Sequence, residues 1–125
     1  MTTTMAEQKE DKIVRSTEIK VQIHLNEGKM PVAMDWDATD SPVKGAKPCK
    51  AAMVALWDGE AKITQRLDLW TKEMQVDEMN YFFFQTFMTM ADTFHRATNN
   101  KEASMDIRKF GQEFATKLGL FDKKK

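Results

Sequence analysis

Cysteine occurs once, at Cys49, in a chain of 125 residues. One thiol cannot close an intramolecular disulfide, and small secreted domains usually depend on several bridges. Charge of one sign is also missing in excess: Lys+Arg and Asp+Glu both number 19, for a formal net charge of +0. Nucleic-acid binding draws on a basic surplus that displaces phosphate counterions, so that function is not expected. No apolar run approaches the ~20 residues that span a bilayer. The opening MTTTMAEQKEDKIVR has no apolar stretch resembling a secretory leader. Together these absences lead us to expect a cytoplasmic protein without direct membrane insertion. The 5 glycines form no phosphate-binding loop, and the 2 histidines, His24 and His95, lie too far apart in sequence to suggest zinc ligation. No cofactor and no catalytic group is expected.

What is present is ordinary globular material: 42% hydrophobic and 30% charged residues. The length suits one domain. Residues 1–15 are polar without apolar period and are expected to be a disordered arm, followed by one α+β domain over 16–121 and a frayed tail over 122–125. Within the domain Ile19, Val21, Ile23 and Leu25 alternate with polar residues, the period of a half-buried strand. Asn26-Glu27-Gly28-Lys29 supplies a turn, with Gly28 free to take positive φ, and Val32, Met34 and Trp36 mark the returning strand. Residues 38–48 carry Pro42, Gly45 and Pro48 and read as a loop. Residues 49–57 are apolar except for Lys50; periodicity alone leaves strand or helix open, and the following Asp58-Gly59 turn favours a strand. Ile63, Leu67 and Leu69 then define a fourth strand.

Beyond it the period changes to that of a helix. Met79, Phe83, Thr86, Phe87, Met90, Phe94 and Ala97 share one face of a helix of roughly 20 residues. Asn99-Asn100 interrupts it, with Asn100 suited to cap the next helix. There Ala103, Ile107, Phe110, Phe114 and Leu118 form a second stripe, ending at Gly119. The expected architecture is a four-stranded antiparallel sheet, made of two hairpins, followed by two C-terminal helices packed on one face.

The stretch LDLWTKEM, at Leu67, Asp68, Leu69, Trp70, Thr71, Lys72 and Met74, together with MADTFHRAT, at Met90, Ala91, Asp92, Thr93, Phe94, Arg96, Ala97 and Thr98, resembles the GldC family of gliding-motility proteins. TEIKVQIHLNEGKMPVAMDWDATD and the ALWD of Ala55–Asp58 extend the likeness over most of the chain from Ser16. Two features depart from the family pattern: Gln75 stands where proline is usual, and the N-terminal arm is long. The resemblance implies a role in bacterial surface gliding and no enzymatic activity. The order of four strands and two helices also resembles the export chaperone SecB, at the level of topology alone.

Two clusters could carry function. Asp35, Asp37 and Asp40 are oxygen ligands of the kind calcium or magnesium takes, although a calcium loop's glycine and distal glutamate are missing. Alternating acids equally suit the solvent face of an edge strand. The second cluster is aromatic. A helix cannot point all of Tyr81-Phe82-Phe83-Phe84 into one core, so Phe82, Phe84 and Met88 are candidates for an outer stripe, with Trp57 and Trp70 as further candidate interface residues. The expected function is that of a non-enzymatic, oligomeric adaptor or scaffold of the gliding system. Its expected partners are a further copy of itself and one or more motility or envelope proteins. A SecB-like holding factor for export clients is the alternative, and a divalent-metal protein using the three aspartates is less favoured.

Overall fold

A computed structural model describes residues 11–122, which carry five strands and two helices. They fall into two compact units, Lys12–Met74 and the helical stretch that begins at Gln75. Most of the expected disordered arm, residues 1–10, lies outside the described residues, as does the tail beyond Asp122. The remaining arm residues are exposed, and Arg15 Nη2 donates to Asp40 Oδ1 at 2.9 Å.

The first unit holds two antiparallel sheets rather than the single four-stranded sheet expected. Strands β1 (Ile19–Leu25), β2 (Pro31–Ala38) and β3 (Lys47–Cys49) form one sheet in that order. β4 (Ala51–Asp58) and β5 (Ile63–Trp70) form the other. The extra strand, β3, comes from the end of what reads as a loop. Its middle residue is Pro48, opposite Asp35, and a proline is compatible with a strand that has a free edge. Lys50 bends the chain between β3 and β4, so the preceding residues pair with β2 and the following ones with β5. That bend is the reason one sheet becomes two. The apolar stretch that could have been strand or helix is a strand throughout β4.

Both hairpin turns put a lysine in the left-handed region. Lys29 has φ 62 and Lys62 has φ 58, so the residue with positive φ is Lys29 and not Gly28. The turns are held by side chains: Asn26 Oδ1 accepts from Met30 N at 3.1 Å, and Asp58 Oδ1 accepts from Glu60 N and Ala61 N at 2.9 and 3.1 Å. Such Asx contacts offset the roughly 1 kcal/mol that a side chain pays there.

Where β5 ends, Thr71 N donates to Lys50 O at 2.8 Å, extending the β4–β5 ladder, and Lys72 N donates to Pro31 O at 3.1 Å, tying the second hairpin to the first. Thr71 is only 3% exposed, and its Oγ1 has no hydrogen-bond partner among the described residues. A buried hydroxyl left unpaired costs about 1–3 kcal/mol. Thr71→Val, nearly the same shape, should therefore raise stability by about 1 kcal/mol, read as a higher urea midpoint with unchanged slope.

The second unit is a helical hairpin, α1 (Val76–Thr98) and α2 (Lys101–Lys117). Glu78 Oε1 accepts from Gln75 N at 3.0 Å, satisfying a donor at the start of α1. Asn99, at φ 58, closes α1 with its N–H on His95 O, and Asn100 Oδ1 caps α2 by accepting from Ala103 N at 3.0 Å. Gly119, at φ 69, ends α2 while Leu120 N reaches back to Ala115 O at 3.0 Å. Phe121 folds back with it, its ring edge-to-face with Phe84 at 5.4 Å.

The two helices approach closely because small residues line the seam. Ala91 on α1 and Ser104, Gly111 and Ala115 on α2 are buried, and Ser104 Oγ donates to Ala91 O at 2.6 Å. Phe87 sits beside this seam with its ring centroid 5.3 Å from Phe110 and 5.2 Å from Phe114. The sequence stripe through Ala103, Ile107, Phe110 and Phe114 is thus offset from the buried line. Phe110 and Leu118 remain exposed. The side chains that bring the helices together are the ones too small to register as hydrophobic period.

Candidate interaction surface

β4 and β5 pair residue for residue from Ala51↔Trp70 to Asp58↔Ile63, without a bulge. Strand alternation then places Ala52, Val54, Leu56, Ile63, Gln65, Leu67 and Leu69 on one face of the ribbon. Its other face carries Met53, Ala55, Trp57, Thr64, Arg66, Asp68 and Trp70. Neither face is dry. Leu56 is 65% exposed, Leu67 55%, Trp57 66% and Trp70 55%, and Ile63 is half-exposed beside them. Single exposed apolar residues are normal, but Leu56, Ile63 and Leu67 stand together on one face, and Trp57 and Trp70 lie near the two ends of the other, so both faces of the ribbon carry large exposed apolar side chains of the kind found at interaction sites. On the second face, Arg66 Nε and Nη2 grip Asp68 Oδ2 and Oδ1 at 3.0 and 2.7 Å, a bidentate pair.

Of the five candidate interface residues, Trp57 and Trp70 are exposed in this way. Phe82 is half-buried, edge-to-face with Phe83. Phe84 and Met88 lie on the side of α1 that meets α2: the Phe84 ring is against Phe121, and the Met88 sulfur lies 3.1 Å from where a Cβ on Gly111 would stand. Both are half-buried, with part of their apolar surface engaged inside the hairpin. The aromatic run does divide between faces, but the division is set by α2 and its C-terminal turn, which no helical wheel of α1 contains.

The three aspartates turn to separate partners. Asp35 Oδ2 is 2.8 Å from His24 Nε2, Asp37 Oδ1 accepts from Ala38 N at 2.9 Å and faces Lys47 Nζ at 3.4 Å, and Asp40 holds Arg15. Lys47 Nζ also lies over the Trp36 ring at 4.5 Å, a cation–π contact. Among the described residues, no three His, Cys, Asp or Glu side chains are placed to hold a metal ion. Cys49 stands opposite Met34 on β3. Partial burial, with the Asp35 charge adding to it, pushes its pKa up and away from a reactive thiolate. Replacing Asp35 and Asp37 together with Asn should shift stability by about 1 kcal/mol or less, because both charge pairs are still partly open to solvent, where such pairs are worth little. A thermal melt checks this, and calorimetry with calcium, magnesium or manganese should show no heat beyond dilution for either protein.

The described residues of this α+β chain thus present strand edges and exposed aromatic side chains. Residues 31–120 match the family model described as gliding motility-associated protein GldC-like, so the chain belongs to the GldC-like family. No curated protein and no solved structure matches it. The matched span takes in β2 through α2, including Trp57, Trp70 and the Arg66–Asp68 pair. Also among the described residues, no helix is long and apolar enough to cross a membrane.

Proposed function

We infer that this protein is a non-enzymatic accessory component of the gliding-motility system, acting in the cytoplasm as an oligomeric adaptor or scaffold. Family membership supports the motility role. The observation that carries the rest is the set of exposed apolar side chains on the two faces of β4 and β5, Leu56 and Leu67 on one and Trp57 and Trp70 on the other, which spend large apolar area on solvent. Burying such side chains against a partner is worth on the order of 1.5–3 kcal/mol each, the usual basis of interface hot spots. The partners are another copy of the chain and a motility or envelope protein.

The test is a gliding assay in cells whose own copy is replaced by Trp57→Ser, with circular dichroism on the purified variant. A folded protein that fails to support gliding is the expected result. Full gliding with Trp57→Ser, and with Leu56→Ser as well, would remove both faces of the ribbon from the function. A holding-factor role draws on the same exposed surface. It would show as suppression of aggregation of several unrelated unfolded proteins at stoichiometric ratio, which an adaptor does not give.

A further inference from the structure

β5 is a lightly guarded edge. Natural edge strands are usually blunted by charged side chains, proline, a bulge or a covering element, because their unpaired N–H and C=O groups recruit other strands. Ile63–Trp70 contains no proline, glycine or lysine, pairs with β4 without a bulge, and exposes nearly all of its residues; its two charges, Arg66 and Asp68, are opposite in sign and pair with each other.

The direction of its free backbone groups follows from one hydrogen bond. Thr71 N donates to Lys50 O, in register with Ala51↔Trp70, so the 71–50 position is a hydrogen-bonded pair. Alternation along an antiparallel ladder then turns Leu69, Leu67, Gln65 and Ile63 toward β4. The backbone groups of Thr64, Arg66, Asp68 and Trp70 point outward. Among the described residues none of these four has a further backbone partner.

We propose that two copies of this chain join through antiparallel pairing of β5 with β5, about a two-fold axis at Leu67. The proposal rests on the oligomeric part of the function inferred above and names the surface it uses. Three observations converge on this occupant and this register. First, centring the axis at Leu67 sets Arg66 opposite Asp68 of the second copy and Asp68 opposite its Arg66. The Arg66–Asp68 pair within each strand becomes two cross-strand pairs of opposite charge. Second, the backbone parity matches. Arg66 with Asp68, and Thr64 with Trp70, become hydrogen-bonded pairs, so every outward group of the four residues finds a partner. Third, the apolar face continues across the junction. Leu67 meets its own counterpart, and Val54 and Leu56 of each β4 flank it, giving a four-stranded sheet from two ribbons.

On the opposite face Trp57, Thr64 and the second copy's residue 70 fall in one row across three strands. Neighbouring strands lie about 4.8 Å apart, so the two indoles flank Thr64. The free edges of β1 and β4 lack this specificity. β1 paired with itself about Gln22 would set Lys20 against His24 and bring no opposite charges together. The outer edge of β4 carries no charge between Ala51 and Trp57.

The experiment reads molecular mass by light scattering at micromolar concentration, on the full chain. Wild type should have twice the mass of one chain, or an even multiple of it. Arg66→Asp makes both cross-strand pairs Asp–Asp, and Asp68→Arg makes both Arg–Arg. Each variant alone should weaken self-association by about 100-fold or more. An equimolar mixture of the two should recover it, since every pair is then Asp–Arg. A structural role of the salt bridge would not give recovery on mixing. Leu67→Cys in a Cys49→Ser background should form a disulfide dimer on mild oxidation, because residues facing across a non-hydrogen-bonded pair have Cα atoms about 4.5 Å apart.

A monomeric wild type overturns this interface and the oligomeric reading together. An oligomeric wild type whose mass survives both charge variants overturns this edge alone and leaves oligomerisation to another surface. Monomeric, folded variants that do not recover on mixing also overturn it. Should the charge variants fail to fold, the Leu67→Cys crosslink decides: its absence in an oligomeric protein rules out pairing through β5.

Discussion

Phe87→Ala is expected to lower stability by about 3–5 kcal/mol, the usual cost of removing a packed phenylalanine. Phe87 is the hub of the aromatic contacts in the helical hairpin, with Phe83 at 6.1 Å and Phe110 and Phe114 closer still. Edge-to-face pairs add about 0.5–1.5 kcal/mol each beyond the area they bury. Removing the ring leaves three other phenylalanines without their shared partner, on helices linked in sequence by the short Asn99-Asn100 connection. A hairpin has few neighbours that can collapse into the space. Domains of this size hold only about 5–15 kcal/mol in total, so the variant should lose much of its helical circular dichroism well below the wild-type melting temperature. Met90→Ala is the control. It sits three residues further along the same helix at half exposure and should cost less than about 1 kcal/mol. Equal losses at the two positions would show that the hairpin is not organised around Phe87.

Gly111→Leu should be comparably damaging for the opposite reason. A Cβ at this position would already stand 3.1 Å from the Phe87 Cβ and 3.1 Å from the Met88 sulfur. The methionine end can swing away, but the Phe87 Cβ is fixed to the α1 backbone, so a larger side chain must push the helices apart. Separation would also break the Ser104 hydroxyl bond to the Ala91 carbonyl and open the contact at Ala115. Overpacking of this kind costs about 1–3 kcal/mol, and losing the buried hydroxyl contact adds about 1 kcal/mol. For a chain this short that corresponds to a fall in melting temperature of roughly 10 °C or more. Gly111→Ala separates two effects. The better helix propensity of alanine gains up to about 1 kcal/mol, while the close contact spends it, so this variant should lie near wild type. A Leu variant as stable as wild type would mean that the helices do not meet at Gly111.

Phe84 and Met88 show where sequence reasoning stops. Their four-residue spacing is legible, and so is their separation from the Phe83–Phe87 direction. What a helical wheel lacks is the partner. The seam on α2 is made of Ser104, Gly111 and Ala115, residues that carry almost no hydrophobic signal, and Phe121 arrives only because Gly119 turns the chain back. A search for small residues seven and four apart, rather than for large ones, would have found that seam. The second sheet is a similar case. Alternation in β1, β2 and β5 was readable, but the division into two sheets depends on a bend at a single residue, Lys50.

The local order of this chain follows from its residues alone. Period two through Ile19–Leu25 and Ile63–Trp70, period near four through Val76–Thr98 and Lys101–Lys117, the break at Asn99-Asn100 and the stop at Gly119 are short-range consequences of side-chain shape and backbone freedom. The GldC-family likeness is equally a property of the string, because LDLWTKEM and MADTFHRAT need no coordinates to be read. The tertiary structure decided which apolar residues are covered. Burial is a relation between segments distant in the chain, so Met88 is engaged by α2 while Trp57 and Leu67, no less apolar, stand in solvent. It also decided which way the β5 backbone faces. The hydrogen bond from Thr71 to Lys50 sets the phase of the whole strand, and no periodicity in the residues themselves encodes that phase.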